Sequence, residues 1–243
     1  NVTCSVLFIH DFGDGPRTTW ATQDLFWPEE VLPREVPNAR VLLYGYSTKR
    51  SLNALPQLGA NLLTAIQEDR KQNKGRPLIF VCHGLGGLIC KNALIAAGNS
   101  KTPQRFLANC TRGIVFLGTP HRGSKASLQA KITRIVRSLS TDQRAILPNG
   151  RSGLWDQLNS FPHIMDKYQI PIECFYETSS SQVAEEASAT MGRGERTHAL
   201  NTTHIEMCRF KKPTDAGLVC ILACIQRLCT LPKNVSKPGM APL

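Results

Sequence analysis

The sequence predicts an α/β fold, a mostly parallel sheet covered by helices on both faces. Three observations carry that prediction. Short apolar, β-branched runs alternate with longer segments of helical period over nearly the whole chain. Between Leu78 and Ala97, LIFVCHGLGGLICKNALIAA, a strand, a glycine-rich turn and a helix follow one another without a break. Each loop of unusual composition follows a predicted strand, so these loops gather on the sheet edge where open α/β sheets bind ligands.

Taken in order, Val2–His10 is the first strand and runs straight into Asp11-Phe12-Gly13-Asp14-Gly15-Pro16, a loop by composition. Trp20–Trp27 reads as a short helix stopped by Pro28, and Ala39–Tyr44 as a second strand closed by Gly45. Ser51–Arg70 carries a helical stripe of Leu55, Leu58, Leu62, Leu63 and Ile66. Leu78–Cys82 is a buried strand, His83–Gly87 a turn and Leu88–Ala97 a helix. Gly113–Leu117 is the next strand, ending in Gly118–Ser124. Leu154–Tyr168 reads as a helix, Pro171–Tyr176 and Gln182–Ala187 as two late strands, and Ala216–Leu228 as a closing helix.

The 243 residues suffice for one large core, expected over 1–230, with 231–243 as a polar, proline-bearing tail or linker. The chain opens on Asn1 with a strand pattern at once, and so reads as a domain cut from something longer. No apolar run approaches the ~18 residues of a transmembrane helix. Nine cysteines without a C-x-x-C pair, most of them in apolar patterns, suit small buried thiols in a reducing, intracellular, cytoplasmic setting. No metal and no cofactor is expected. The net charge of +11 is uneven: Arg122, Lys125, Lys131, Arg134, Arg137, Arg144 and Arg151 face Asp142 alone. Within that segment Ser127–Ser140 places Leu128, Ile132, Ile135, Val136 and Leu139 on one helical face. It is a candidate lid or membrane-surface element, or a helix simply docked on the core.

The stretch around residue 84 has the layout of a nucleophile elbow, G-x-S-x-G on a strained strand-to-helix corner. Here the frame reads Cys82-His83-Gly84-Leu85-Gly86, so glycine stands where the serine would be. An ordinary glycine-rich βα turn is the plain alternative, and no G-K-[ST] follows to make a phosphate loop. Downstream, Glu177 ends the strand IECFYE, where an acid is expected, and His198 and His204 come after the last strand. His204 is favoured as the base because HIEMCRF leads directly towards the final helix. A surface acid and a structural histidine are the alternative roles for Glu177 and His204.

The blocks FIHDFGDGPRTTW, RVLLYGY, PLIFVCHGLGGLICKNAL, GIVFLGTPHRGS, CFYET and THIEMCRF occur in the order and spacing of a known family. From Val2 to Cys229 the chain resembles a lipase-like α/β-hydrolase family. That family includes the serine active site-containing proteins and the hydrolase-like N-terminal domains of fungal NACHT (NLR-like) proteins. The resemblance implies an α/β-hydrolase fold, into which Ser127–Ser140 would be a candidate helical lid insertion. It places Gly84 at a vacant nucleophile position, Glu177 as acid, His204 as base, and the N–H groups near Phe12 and of Leu85 as oxyanion donors. His10, Asp11, His83 and His121 fall on the pocket loops.

Two departures count against ordinary catalysis. Gly84 cannot attack a carbonyl, and the family's first-loop HG is replaced by His10-Asp11. A carboxylate beside an oxyanion pocket opposes the developing charge, and losing one donor alone costs about 10²–10³ in rate. The expectation is therefore a non-catalytic sensing, binding or regulatory module of a larger, NACHT-type protein. The alternative is an active ester or lipid hydrolase, with Gly84 replacing a native serine or with water activated by His204 and Glu177. Expected partners are an acyl or lipid ligand, another protein or domain, and an anionic membrane surface through 122–151. Nucleic acid is disfavoured, since no aromatic stacking platform accompanies the basic segment.

Overall fold

The computed structural model describes residues 3–47, 55–100, 103–121, 152–179 and 186–231. Within them six strands form one all-parallel sheet: β1 (Cys4–Ile9), β2 (Ala39–Tyr44), β3 (Leu78–His83), β4 (Thr111–Leu117), β5 (Ile172–Glu177) and β6 (Arg196–Leu200). Their order across the sheet is β2-β1-β3-β4-β5-β6. The chain starts in the interior, steps outward to β2, returns past β1 to β3 and then works outward to β6. The direction of winding reverses between β1 and β3, the place where α/β sheets open a crevice at their carboxyl edge.

The strand interiors read as unbroken apolar runs because both faces are covered. Alternate residues then enter two separate cores. Leu7, Ile9, Phe80, Cys82, Ile114 and Phe116 pack under α3 (Leu55–Asp69), α4 (Gly86–Asn99), α5 (Phe106–Cys110) and α6 (Ser152–Tyr168). Val6, Phe8, Ile79, Val81 and Val115 pack on the other side. There they meet α1 (Trp27–Glu30), α2 (Leu32–Glu35) and α8 (Ala216–Thr230), through Trp27, Leu32, Leu218, Ile221 and Ile225. A short α7 (Glu186–Ala189) precedes β6.

The structure corrects two sequence expectations. The segment Trp20–Trp27 is not a helix stopped by Pro28. Instead Ala21 and Phe26 pair as a bridge, and α1 begins at Trp27 with Pro28 in its first turn. Proline is tolerated there, since its missing N–H would have no intrahelical partner. The last strand is β6, not Gln182–Ala187. Residues 182–185 lie outside the described ones, and Glu186 and Ala187 belong to the helical turn of α7. The strand missed, RTHAL, is polar and largely exposed, because only its partner β5 flanks it. The segments Ser127–Ser140 and 232–243 lie outside the described residues.

α3 and α4 pack closely over the first core through Gly59. A β-carbon at 59 would fall 2.6 Å from Asn92 Cβ and 2.9 Å from the Ala93 nitrogen, both on α4. Gly59→Ala should therefore cost about 1–3 kcal/mol, because two helices must separate to admit one methyl group. Gly75, with open space around it, should accept alanine within about 0.5 kcal/mol. Urea unfolding of the two variants beside wild type checks the contrast.

Candidate active site

β3 turns into α4 within two residues. Gly84 stands at the corner with φ of +51°, and its N–H donates to the Leu117 carbonyl on β4 at 2.9 Å. A side chain here would be strained by the left-handed backbone, and it would also have nowhere to go. Its β-carbon would fall 2.2 Å from Asp11 Cγ and 2.3 Å from Asp11 Oδ2. The carboxylate of Asp11 fills the space above the corner.

That carboxylate is held from three directions. Oδ1 accepts the Leu85 N–H at 2.7 Å and the Phe12 N–H at 2.8 Å. Oδ2 lies 3.2 Å from Nε2 of His204, and Nδ1 of the same ring lies 3.5 Å from Oε1 of the fully buried Glu177. The two N–H groups expected to receive an oxyanion thus receive the side chain of the chain's own Asp11. The sequence suggested only that this carboxylate would oppose an oxyanion nearby; in the structure it sits between the donors. His204 thus has a carboxylate facing each ring nitrogen, and its Nε2 is turned to Asp11 rather than to a nucleophile.

The loop between β6 and α8 brings His204 to this point and is tied down along its length. His83 Nε2 donates to the His204 carbonyl at 2.9 Å, and the two rings lie 4.6 Å apart. Trp27 Nε1 donates to the Cys208 carbonyl at 3.0 Å, and Thr22 Oγ1 to the Phe210 carbonyl at 3.1 Å. Arg209 meets Asp14 at 2.8 Å, joining this loop to the one after β1. Burial pushes the Asp14 carboxyl up. Hydrogen bonds from Thr18, the Gly15 N–H and Thr19, with the charge of Arg209, outweigh that and hold it below the usual range.

The sequence-predicted residues therefore divide. Gly84, Asp11, Phe12, Leu85, His204 and Glu177 come together at the carboxyl ends of β1, β3 and β5, with His83 beneath His204. His10 is buried behind them, its ring stacked on Tyr46 at 4.1 Å. His121 packs on the ring of Phe116 and against Cys174, whose sulfur is 3.5 Å from its Nε2. His198 pairs with Glu173 at 2.7 Å rather than with the Asp11 group. Sequence reading missed Gly118, at φ +57° just past β4. A β-carbon there would meet His204 Cε1 at 2.7 Å, so this glycine makes room for the ring. Its only signal was the loop GTPHRGS. Ligand atoms of Asp11, His83 and His204 also lie within 4.8 Å of one another, close enough for a metal. The bonds already made by His83 Nε2 and His204 Nε2 compete with such a role.

No family model matches the chain. Among curated proteins it is 29% identical over 180 residues to Protein SERAC1 of Mus musculus, covering 60% of this chain and 27% of that protein. To Protein SERAC1 of Danio rerio it is 23% identical over 245 residues, covering 87% and 37%. The chain thus spans between about a quarter and about two fifths of these relatives' length. Solved structures similar to it include a carboxylesterase of the thaumarchaeon Nitrososphaera gargenis, with TM-score 0.55 and 10% identity over 94% of this chain and 91% of that one. The RedJ thioesterase of Streptomyces coelicolor aligns with TM-score 0.54 and 11% identity over 93% and 90%. The fold is that of the α/β-hydrolases.

His10 gives the site's scaffold a pH signature. Its Nδ1–H donates to the Asp11 carbonyl at 2.8 Å, and burial pushes its imidazole below the ordinary 6.5, against the pull of Asp11 and Asp14. The unfolded chain gains a proton below pH 6.5 that the folded chain resists. Its contribution to stability is therefore full above that pH and is lost as pH falls through the lower folded value. Urea midpoints between pH 7.5 and 5 should decline for wild type and decline less steeply for His10→Gln.

Proposed function

We propose that this domain is an α/β-hydrolase-fold module that does not perform serine-dependent ester hydrolysis and serves as a binding or regulatory part of a longer protein. The observation that carries the reading is the Asp11 carboxylate, lodged above Gly84 with one oxygen on the Phe12 and Leu85 N–H groups and the other on His204. It lies as the acid product of an ester hydrolysis would lie: one oxygen in the donor pair, the other facing the histidine. The site is occupied by an intramolecular product analogue. Gly84, Glu177 and His204 hold the nucleophile, acid and base positions of the ancestral site, with Phe12 and Leu85 as its oxyanion donors.

Three further parts of the reading rest on sequence and similarity. The limited share of the SERAC1 proteins that the chain spans supports a module within a larger architecture, for which a NACHT-type protein is our proposal. The basic segment 122–151 suits an anionic membrane surface or an acidic protein partner, and the hydrolase-like crevice suits an acyl or lipid ligand. Nine free thiols, seven of them buried, suit a reducing, intracellular setting. No helix among the described residues is long and apolar enough to cross a membrane.

A second reading, water activated by His204 and Glu177, is favoured by their 3.5 Å contact and requires Asp11 to swing away. A fluorophosphonate probe and short acyl esters separate the readings. Wild type should neither label nor hydrolyse. Gly84→Ser alone should fail to label and lose stability, since its β-carbon and the Asp11 carboxylate claim the same space. The positive φ adds about 1–3 kcal/mol of strain. Gly84→Ser combined with Asp11→Gly should label, because the hydroxyl then meets His204 and the two N–H groups are vacant. Ester hydrolysis by wild type that disappears in His204→Ala would replace this reading with the second.

A further inference from the structure

A second cluster of metal-ligating side chains lies away from the Asp11 group, between β5, β6 and α8. His198 stands in the middle of β6, and Cys220 and Cys224 stand one turn apart on α8. One ligand atom from each lies within 4.8 Å of the other two. Cys220 Sγ is 3.7 Å from His198 Nδ1, and Cys224 Sγ is 3.6 Å from His198 Nε2. Sulfur and nitrogen bound to one tetrahedral zinc are separated by about 3.5 Å, given Zn–S near 2.3 Å and Zn–N near 2.0 Å. Cys220 is thus at ligand spacing from Nδ1, while Cys224, beside Nε2, would turn its side chain towards Nδ1 to reach the same ion.

The surroundings of His198 point the same way. Its ring is stacked on Phe175 at 4.4 Å, and Nε2–H donates to Glu173 Oε2 at 2.7 Å. That bond leaves Nδ1 with its lone pair, on the side of Cys220. Glu173 is fully buried and is itself held by Arg227. A ligating histidine whose second nitrogen donates to a fixed carboxylate is the usual arrangement around protein-bound zinc. Cys224 is buried while His198 and Cys220 are partly exposed, so the cluster reaches the protein surface.

We propose that His198, Cys220 and Cys224 bind one thiophilic divalent cation, Zn²⁺ by preference, with Glu173 as a positioning residue. The site does not depend on the hydrolase reading, yet it bears on the same loop. Its ligands lie on the strand before and the helix after the segment that carries His204, so the ion would clasp that loop at its base. Neither C-x-x-C spacing nor a ligand-rich motif announces the site, because its members come from two elements that meet only in the fold.

The test uses the 243-residue chain, reduced and stripped of metal, titrated with Co²⁺ and then with Zn²⁺. One equivalent of Co²⁺ should produce thiolate-to-cobalt absorption in the near ultraviolet with visible bands of tetrahedral cobalt. One equivalent of Zn²⁺ should bleach them, and Zn²⁺ should raise the thermal midpoint. Cys220→Ser and Cys224→Ser, each shown folded by circular dichroism, should abolish the absorption. Glu173→Gln should weaken binding about 10–100-fold while keeping it. Cys4→Ser breaks a separate close thiol pair, Cys4 and Cys229 with sulfurs 3.0 Å apart, and should leave the titration unchanged. Absence of a stoichiometric band in wild type, its survival in folded Cys220→Ser and Cys224→Ser, or its loss in Cys4→Ser would each overturn the proposal.

Discussion

A carboxylate held by two backbone N–H groups and a histidine organises the functional edge of this protein. Asp11 belongs to the loop after β1, Leu85 to the corner after β3, and His204 to the loop after β6. Through one side chain, three segments far apart in sequence are fixed to one another. Hydrogen bonds to a charged group contribute about 1.5–3 kcal/mol each, a large share of a domain's stability. An open hydrolase site would instead keep its donors ready for a transient oxyanion. Filling them exchanges readiness for order.

Two glycines at positive φ, Gly84 and Gly118, make this possible in different ways. Gly84 removes both the hydroxyl and the β-carbon, and it is the missing β-carbon that lets the Asp11 carboxylate descend onto the corner. Gly118 clears a place for the His204 ring. Gly84 and the position of the Asp11 side chain are thus sterically coupled. A serine at 84 and the present Asp11 conformation exclude each other sterically, whatever the chemistry of either.

Much of this was legible in the sequence where a local pattern mapped onto a local structure. The apolar runs of β1 and β3 and the stripe of α3 gave their elements, since burial on both faces or one face leaves a direct trace in composition. The order of Gly84, Glu177 and His204 along the chain gave the three positions that the fold brings to one edge. β6 was not legible, because RTHAL is an exposed edge strand with no hydrophobic alternation to betray it. Trp20–Trp27 misled because its aromatic residues serve the core through a bridge and a turn rather than along a helix face. The position of the Asp11 side chain could not be read either. Its proximity to the Phe12 and Leu85 N–H groups followed from the resemblance, but its lodging between them depends on the space over Gly84. His198 looked like a rival for His204 until the sheet set it beside Glu173 and the cysteines of α8.

The account rests on where one carboxylate sits, and a high-resolution crystal structure of the wild-type domain at neutral pH measures that directly. It predicts Asp11 Oδ1 within hydrogen-bond reach of both the Phe12 and Leu85 nitrogens, Oδ2 beside His204 Nε2, and no water between the two amides. Asp11 turned out to solvent, with a water or an anion seated between those N–H groups in its place, would contradict it.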